Sequence, residues 1–170
     1  MVAIELSAVD RHPAIVKTLV WTDEDATRAF AQSLARQPEL ADCFVSFHGD
    51  LGAGKTTLVR HLMQALGVTG RIKSPTYAVV EPYELPLLNI WHFDFYRFAD
   101  PREWEDAGFR DIFASPGLKL AEWPEKAGRL LPVPDLELTL TTQTDNSRDV
   151  RIAAHTPKGV RLLDSMDARA

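Results

Sequence analysis

The chain has 170 residues, 45% hydrophobic and 25% charged, which suits one globular domain with a sizeable core. Its 19 basic and 24 acidic residues leave a net charge of −5. No Lys or Arg cluster makes an electrostatic footprint for nucleic acid, so any RNA substrate is expected to be held mainly by a partner. A single cysteine, Cys43, excludes an internal disulfide and a cysteine metal cluster.

In chain order, residues 1–13 read as a leader. Met1 to Thr18 hold no apolar stretch long enough for a signal peptide or membrane span, since Asp10, Arg11, His12 and Pro13 interrupt it, and a cytoplasmic location without membrane contact is expected. Ala14 to Val20 reads as a first strand. Thr22 or Asp23 can cap a helix whose apolar residues Ala26, Ala29, Phe30 and Leu34 recur at helical spacing, with Pro38 just beyond its end. Cys43 to Phe47 is a core strand, and its thiol reads as buried and inert, as suits a reducing compartment.

Gly49, Asp50, Leu51, Gly52, Ala53, Gly54, Lys55 and Thr56 then match G-x-x-x-x-G-K-[ST] in full, followed by a helical stripe of Leu58, Leu62, Met63 and Leu66 closed by Gly67. Strand, glycine loop and helix start are what a phosphate cradle requires. Glycines let backbone N–H groups wrap an anion, and the helix start adds unpaired donors and partial positive charge. Lys55 is expected to reach the β- and γ-phosphates, and Thr56 to place its hydroxyl on magnesium.

Residues 71–76 read as an exposed loop, and Tyr77 to Val80 as a short strand ended by Glu81 and Pro82. Ser74, Thr76 and Tyr77 fit either a γ-phosphate-sensing loop or plain turn chemistry from Ser-Pro-Thr. Leu87 to Phe93 is a central strand delivering Asp94. Asp100-Pro101 starts a helix through Ala107, Phe109 to Phe113 form a short turn, and Leu118 to Ala121 is a strand delivering Glu122. Asp94 and Glu122 are the acids placed to serve a magnesium nucleotide at strand ends. His48 and His92 lack metal-ligand spacing and read as satisfied core or rim residues. Trp91 and Trp104 read as packing residues, with Trp123, beside Glu122, the exception to test. Asp135 to Thr141 and Val150 to Ala153 alternate as an antiparallel hairpin, and residues from Pro157 form a short helix or tail. The main domain is thus expected over 14–156, with 157–170 beyond it.

Gly49 to Thr57, Lys73-Ser-Pro-Thr-Tyr77, Val80-Glu-Pro-Tyr83, His92-Phe-Asp-Phe-Tyr-Arg97 and Glu122-Trp-Pro-Glu125 resemble, in order and spacing, the TsaE (YjeE) family, the ATPase of bacterial tRNA threonylcarbamoyladenosine biosynthesis. The resemblance spans about residues 20–155. It implies an α/β fold of single-domain P-loop NTPase type, with a mostly parallel central sheet flanked by helices and a C-terminal antiparallel hairpin. It further implies ATP and Mg2+ as ligands, TsaB and TsaD as partners, and tRNA met through that assembly. Residue by residue, it places Gly49 to Thr57 on phosphates, Thr56 and Glu122 on magnesium, Asp94 near metal and attacking water, and Ser74 to Tyr77 in a switch-like loop that includes Thr76. Glu24 or Thr27 and Arg148 align with positions near the nucleotide.

Two other classes share the loop motif. A small-molecule kinase needs an arginine-rich lid, which Ala114 to Leu131 matches poorly with Lys119, Lys126 and one arginine, Arg129. A nucleotide-gated binding module with negligible hydrolysis is the other.

Overall fold

The computed structural model describes residues 15–73, 75 and 79–168. Among the described residues, seven strands form one sheet in the order β1-β7-β6-β2-β5-β4-β3. They are β1 (Ile15–Trp21), β2 (Phe44–His48), β3 (Val80–Leu85), β4 (Leu88–Asp94), β5 (Leu118–Glu122), β6 (Leu136–Thr142) and β7 (Arg148–Ala154). The centre, β6-β2-β5-β4, is parallel, as expected, and both flanks are antiparallel. The helices are α1 (Glu24–Ala35), α2 (Lys55–Leu66), α3 (Pro101–Asp106), α4 (Phe109–Ala114) and α5 (Pro157–Ala168). None of the described helices is long and apolar enough to cross a membrane.

Period-two alternation divides β2 between two cores. Val45 and Phe47 join Leu34 of α1, Leu58 and Leu62 of α2, and Leu162 of α5. Phe44 joins an aromatic group with Phe93, Phe95, Trp104 and Phe109. A strand buried on both faces reads as a continuous apolar run, which is why β2 and β5 are plain in the sequence. Cys43 is buried, its Sγ donates to the Glu39 carbonyl at 3.1 Å, and burial pushes its pKa up to about 12.

One element differs from expectation, and two others are made definite. The strand expected to end at Glu81-Pro82 runs through both to Leu85. As the sheet's edge, β3 has one unpaired side and tolerates proline's missing N–H. The short turn expected from Phe109 is helical, α4, entered from Gly108 in the left-handed conformation at φ 70°. Of the short helix or tail expected from Pro157, the structure has the helix, twelve residues that bury Leu162, Leu163 and Met166 in the first core.

The parallel register fixes where the strand-end acids emerge. Phe47 and Asp94 both pair with Glu122, so the carboxyl ends of β2, β5 and β4 meet on one edge of the sheet.

Candidate functional site

Between the end of β2 and the start of α2, Gly49, Gly52 and Gly54 hold positive φ of 148°, 82° and 105°. At Gly49 a side chain is excluded as well. A Cβ there would come within 2.7 Å of the Leu140 carbonyl oxygen and 3.1 Å of the Ala53 side chain, because β6 backs directly onto the loop. Gly54 occupies the N-cap of α2 and offers no side-chain acceptor, so the first-turn amides keep their donor capacity. They border a cavity of about 340 Å³ whose lining includes Asp50, Lys55, Thr56, Asp94, Glu122 and Trp123.

Lys55 is 5% exposed. Its Nζ donates to the Gly49 carbonyl oxygen and lies 3.6 Å from the centroid of the Trp123 ring, a cation–π contact. Burial holds its pKa below the ordinary lysine value, while Glu122, Glu125, Asp94 and Asp50 pull the other way. Trp123 follows β5 in a left-handed conformation, φ 55°, and Tyr96 packs against its ring with centroids 5.0 Å apart.

The Thr56 hydroxyl donates to Glu122 Oε1 at 2.7 Å. Glu122 is 1% exposed, and its other oxygen lies 2.6 Å from His92 Nε2 on β4. Three elements therefore fix one carboxylate, the arrangement a buried charge needs. Asp94, half-buried beside it, accepts from the Tyr96 backbone N–H at 3.0 Å. Burial raises its pKa, with the Glu122 charge adding to the rise and the Tyr96 bond, His92 and Lys55 opposing it.

On the other side of the loop a cavity of about 280 Å³ is lined by residues that include Trp21, Glu24, Thr27, Thr57, Asn146 and Arg148. Asp23 caps α1 by accepting from the Ala26 N–H at 2.9 Å. Glu24 Oε1 lies 2.9 Å from His61 Nε2 on α2, and that bond holds the Glu24 carboxyl below its ordinary pKa. Arg148 joins the two cavities, lining both. Its Nε donates to the Ala53 carbonyl at 2.9 Å, and its other guanidinium nitrogens reach the Asn146 and Gly52 carbonyls.

The structure thus brings Asp50, Gly52, Ala53, Gly54, Lys55, Thr56, Thr57, Glu24, Thr27, Asp94, Glu122 and Arg148 around two neighbouring cavities. Leu51 lies on the rim, 72% exposed, and Gly49 lies behind the loop. Ser74, Thr76 and Tyr77 lie outside the described residues. His92 is a core histidine, as read from sequence, but only half satisfied: its Nε2 meets Glu122, a contact that was not legible, while its buried Nδ1 has no hydrogen-bond partner among the described residues. His48 is a rim histidine between Glu125 and Glu137, 3.4 Å from each. The sequence reading missed Trp21, His61, Tyr96 and Asn146 beside the cavities; only Tyr96 carried a signal, standing two residues after Asp94.

The donor set suits magnesium bound with a phosphate ligand. Thr56, Glu122 and Asp94 are hard oxygen donors, and among the described residues no cluster of His, Cys, Asp or Glu forms a cation cage of its own. Magnesium commonly takes one or two protein carboxylates and completes its shell with phosphate oxygens and water.

Three comparisons bear on this arrangement. The family model "Threonylcarbamoyl adenosine biosynthesis protein TsaE" matches residues 21–150. Relatives named tRNA threonylcarbamoyladenosine biosynthesis protein TsaE include one from Haemophilus influenzae, 39% identical over 138 residues, covering 81% of this chain and 87% of the relative. Another, from Bacillus subtilis, is 32% identical over 141 residues, covering 82% and 87%. The crystal structure of Bacillus subtilis YdiB superimposes with a TM-score of 0.74 at 24% identity, covering 93% of this chain and 98% of that one, a likeness of fold. With the loop and strand order above, the fold is that of a P-loop NTPase, and the chain belongs to the TsaE family.

Proposed function

We propose that this chain is a magnesium-dependent ATP hydrolase serving threonylcarbamoyladenosine modification of tRNA, working in the cytoplasm on the TsaB and TsaD assembly. Family membership supports the pathway. The observation that carries the chemistry is the part-buried Thr56–Glu122 hydrogen bond beside Lys55 and the glycine loop, since an ammonium, a hydroxyl and a carboxylate then surround one cavity.

Loop residues Gly49 to Thr57, with the Lys55 ammonium on the β- and γ-phosphates, hold the phosphate chain, and Arg148 and Glu24 or Thr27 lie near the nucleotide beside them. Thr56 and Glu122 hold magnesium, which when bound neutralises charge on the phosphate oxygens. Asp94 orients the attacking water from the end of β4, beside Glu122. Thr76 stays a candidate on its motif alone. Catalysis by positioning and charge neutralisation, without a covalent intermediate, agrees with how phosphoryl transfer is ordinarily assisted. ATP and ADP then favour different states of the protein, and the assembly's differential affinity for those states converts hydrolysis into a reset between cycles.

Phosphate release from ATP is measured with and without TsaB and TsaD. Slow release by the chain alone, raised by the partners and abolished by EDTA, is expected. Absence of release in every condition replaces the hydrolase with a nucleotide-gated binding module, and transfer to a small-molecule acceptor replaces it with a kinase.

A further inference from the structure

Strand β4 carries Ile90, His92 and Asp94 on one face, and β5 beside it carries Leu118, Leu120 and Glu122 on the same face. Ile90, Leu118 and Leu120 belong to the first core, so His92 stands against an apolar layer, 1% exposed. Its one side-chain hydrogen bond among the described residues is to Glu122, where Nε2 donates to Oε2 at 2.6 Å. A carboxylate only accepts, so Nε2 carries a proton. On the other side of the ring, Nδ1 is buried with no partner among the described residues.

Packing alone gives no reason for an imidazole there. An unpaired buried nitrogen costs free energy that an apolar side chain of similar volume avoids, so what the histidine adds is its hold on Glu122. Both oxygens of that carboxylate are engaged. Oε1 accepts from the hydroxyl of Thr56, which lines the loop cavity, at 2.7 Å, while Oε2 is turned onto His92. A cation beside Thr56 therefore meets one oxygen of Glu122 and not two. Magnesium demands compact, near-octahedral oxygen coordination, whereas calcium accepts more ligands and commonly grips both oxygens of one carboxylate.

We propose that His92 is a positioning residue that holds Glu122 to one-oxygen ligation and so sets the preference of the site for magnesium over calcium, an inference that rests on the magnesium reading given above. The imidazole does not touch the metal. It acts by fixing the carboxylate: turning both oxygens of Glu122 toward the cavity breaks the Nε2 bond and leaves a second buried nitrogen without a partner. Two-oxygen binding incurs that cost, and one-oxygen binding avoids it.

Binding of the non-hydrolysable nucleotide AMP-PNP to the full chain is measured by isothermal titration calorimetry in saturating magnesium, in saturating calcium and in EDTA. In His92→Leu, which lacks the donor, the ratio of magnesium-supported to calcium-supported affinity should fall about tenfold, the low end of what losing the partner of a metal ligand costs. His92→Gln carries an amide N–H close to the position of Nε2 and should restore most of the ratio, which a merely structural role does not predict. An unchanged ratio in His92→Leu, or equal ratios in the two variants, overturns the proposal and leaves the magnesium reading standing. Wild-type affinity that is the same in EDTA as in either metal removes the magnesium reading and this inference with it. Should His92→Leu not fold, the His92 Nε2 proton is followed by NMR in the wild-type chain. Its hydrogen-bonded signal should persist in the magnesium AMP-PNP complex, and its loss there shows that Glu122 has left His92 and refutes the proposal.

Discussion

Lys55 meets three demands with one side chain: burial, a carbonyl acceptor at Gly49, and the face of Trp123. Replacing it with alanine removes the only ammonium lining the loop cavity among the described residues. Lys55→Ala is therefore expected to weaken ATP binding by about 2–3 kcal/mol, roughly 30- to 150-fold, by isothermal titration calorimetry. Wild-type affinity in that variant sinks the assigned role. Glu122→Gln keeps the hydrogen-bonding shape toward Thr56 and His92 but loses the charge, so the magnesium concentration for half-maximal phosphate release should rise; an unmoved titration removes Glu122 from the metal.

The His48–Glu137 contact gives a pH signature. A bond to Glu137 raises the His48 pKa above 6.5, and the same bond lowers the Glu137 pKa below 4.5. The folded chain holds the His48 proton more tightly than the unfolded chain. That contribution is whole below pH 6.5 and fades as pH rises through the folded value. The Glu137 contribution is whole above pH 4.5 and fades as pH falls through its lowered folded value, so the pair stabilises most between pH 4.5 and 6.5. His48→Gln should flatten the decline of the urea midpoint on the alkaline side of that window. A decline as steep as in the wild type contradicts the assignment.

At the scale of elements, the loop is shaped as much by β6 as by its own glycines. Gly49→Ala adds a methyl at 2.7 Å from the Leu140 carbonyl at a backbone angle that L residues rarely adopt, and should cost about 1–3 kcal/mol in chemical denaturation. Loss of phosphate binding should accompany it, since the loop has to move away from β6; full stability with full binding shows that the contact yields. The α1 cap behaves locally by contrast. Asp23→Ala removes one acceptor from the Ala26 N–H and should cost about 1 kcal/mol. These elements differed in legibility. A cap at Thr22 or Asp23 and the G-x-x-x-x-G-K-T run announce themselves because caps and left-handed turns demand particular residue types within a few positions, and the structure picks Asp23. Pro82 misled because a breaker in a central strand is acceptable at an edge, and edge position is set by which strands pair.

For the whole molecule, the proposed cycle requires the partners to distinguish its nucleotide states. Retention by immobilised TsaB and TsaD should differ several-fold between ATP and ADP at saturating nucleotide, which corresponds to a coupling of about 1 kcal/mol; equal retention breaks the reset reading. The amino-acid order alone determined the phosphate-loop motif, the buried runs around it, the acids ending two of them and the inert cysteine, because each depends on local periodicity, a turn's backbone demands or a short spacing. Tertiary structure decided the rest: Glu122 against Thr56 across 66 positions, Arg148 on the Ala53 carbonyl across 95, His61 against Glu24 across 37, and Trp123 beneath Lys55. Such contacts depend on strand order and register, which long-range pairing and burial select together, and no local pattern encodes them.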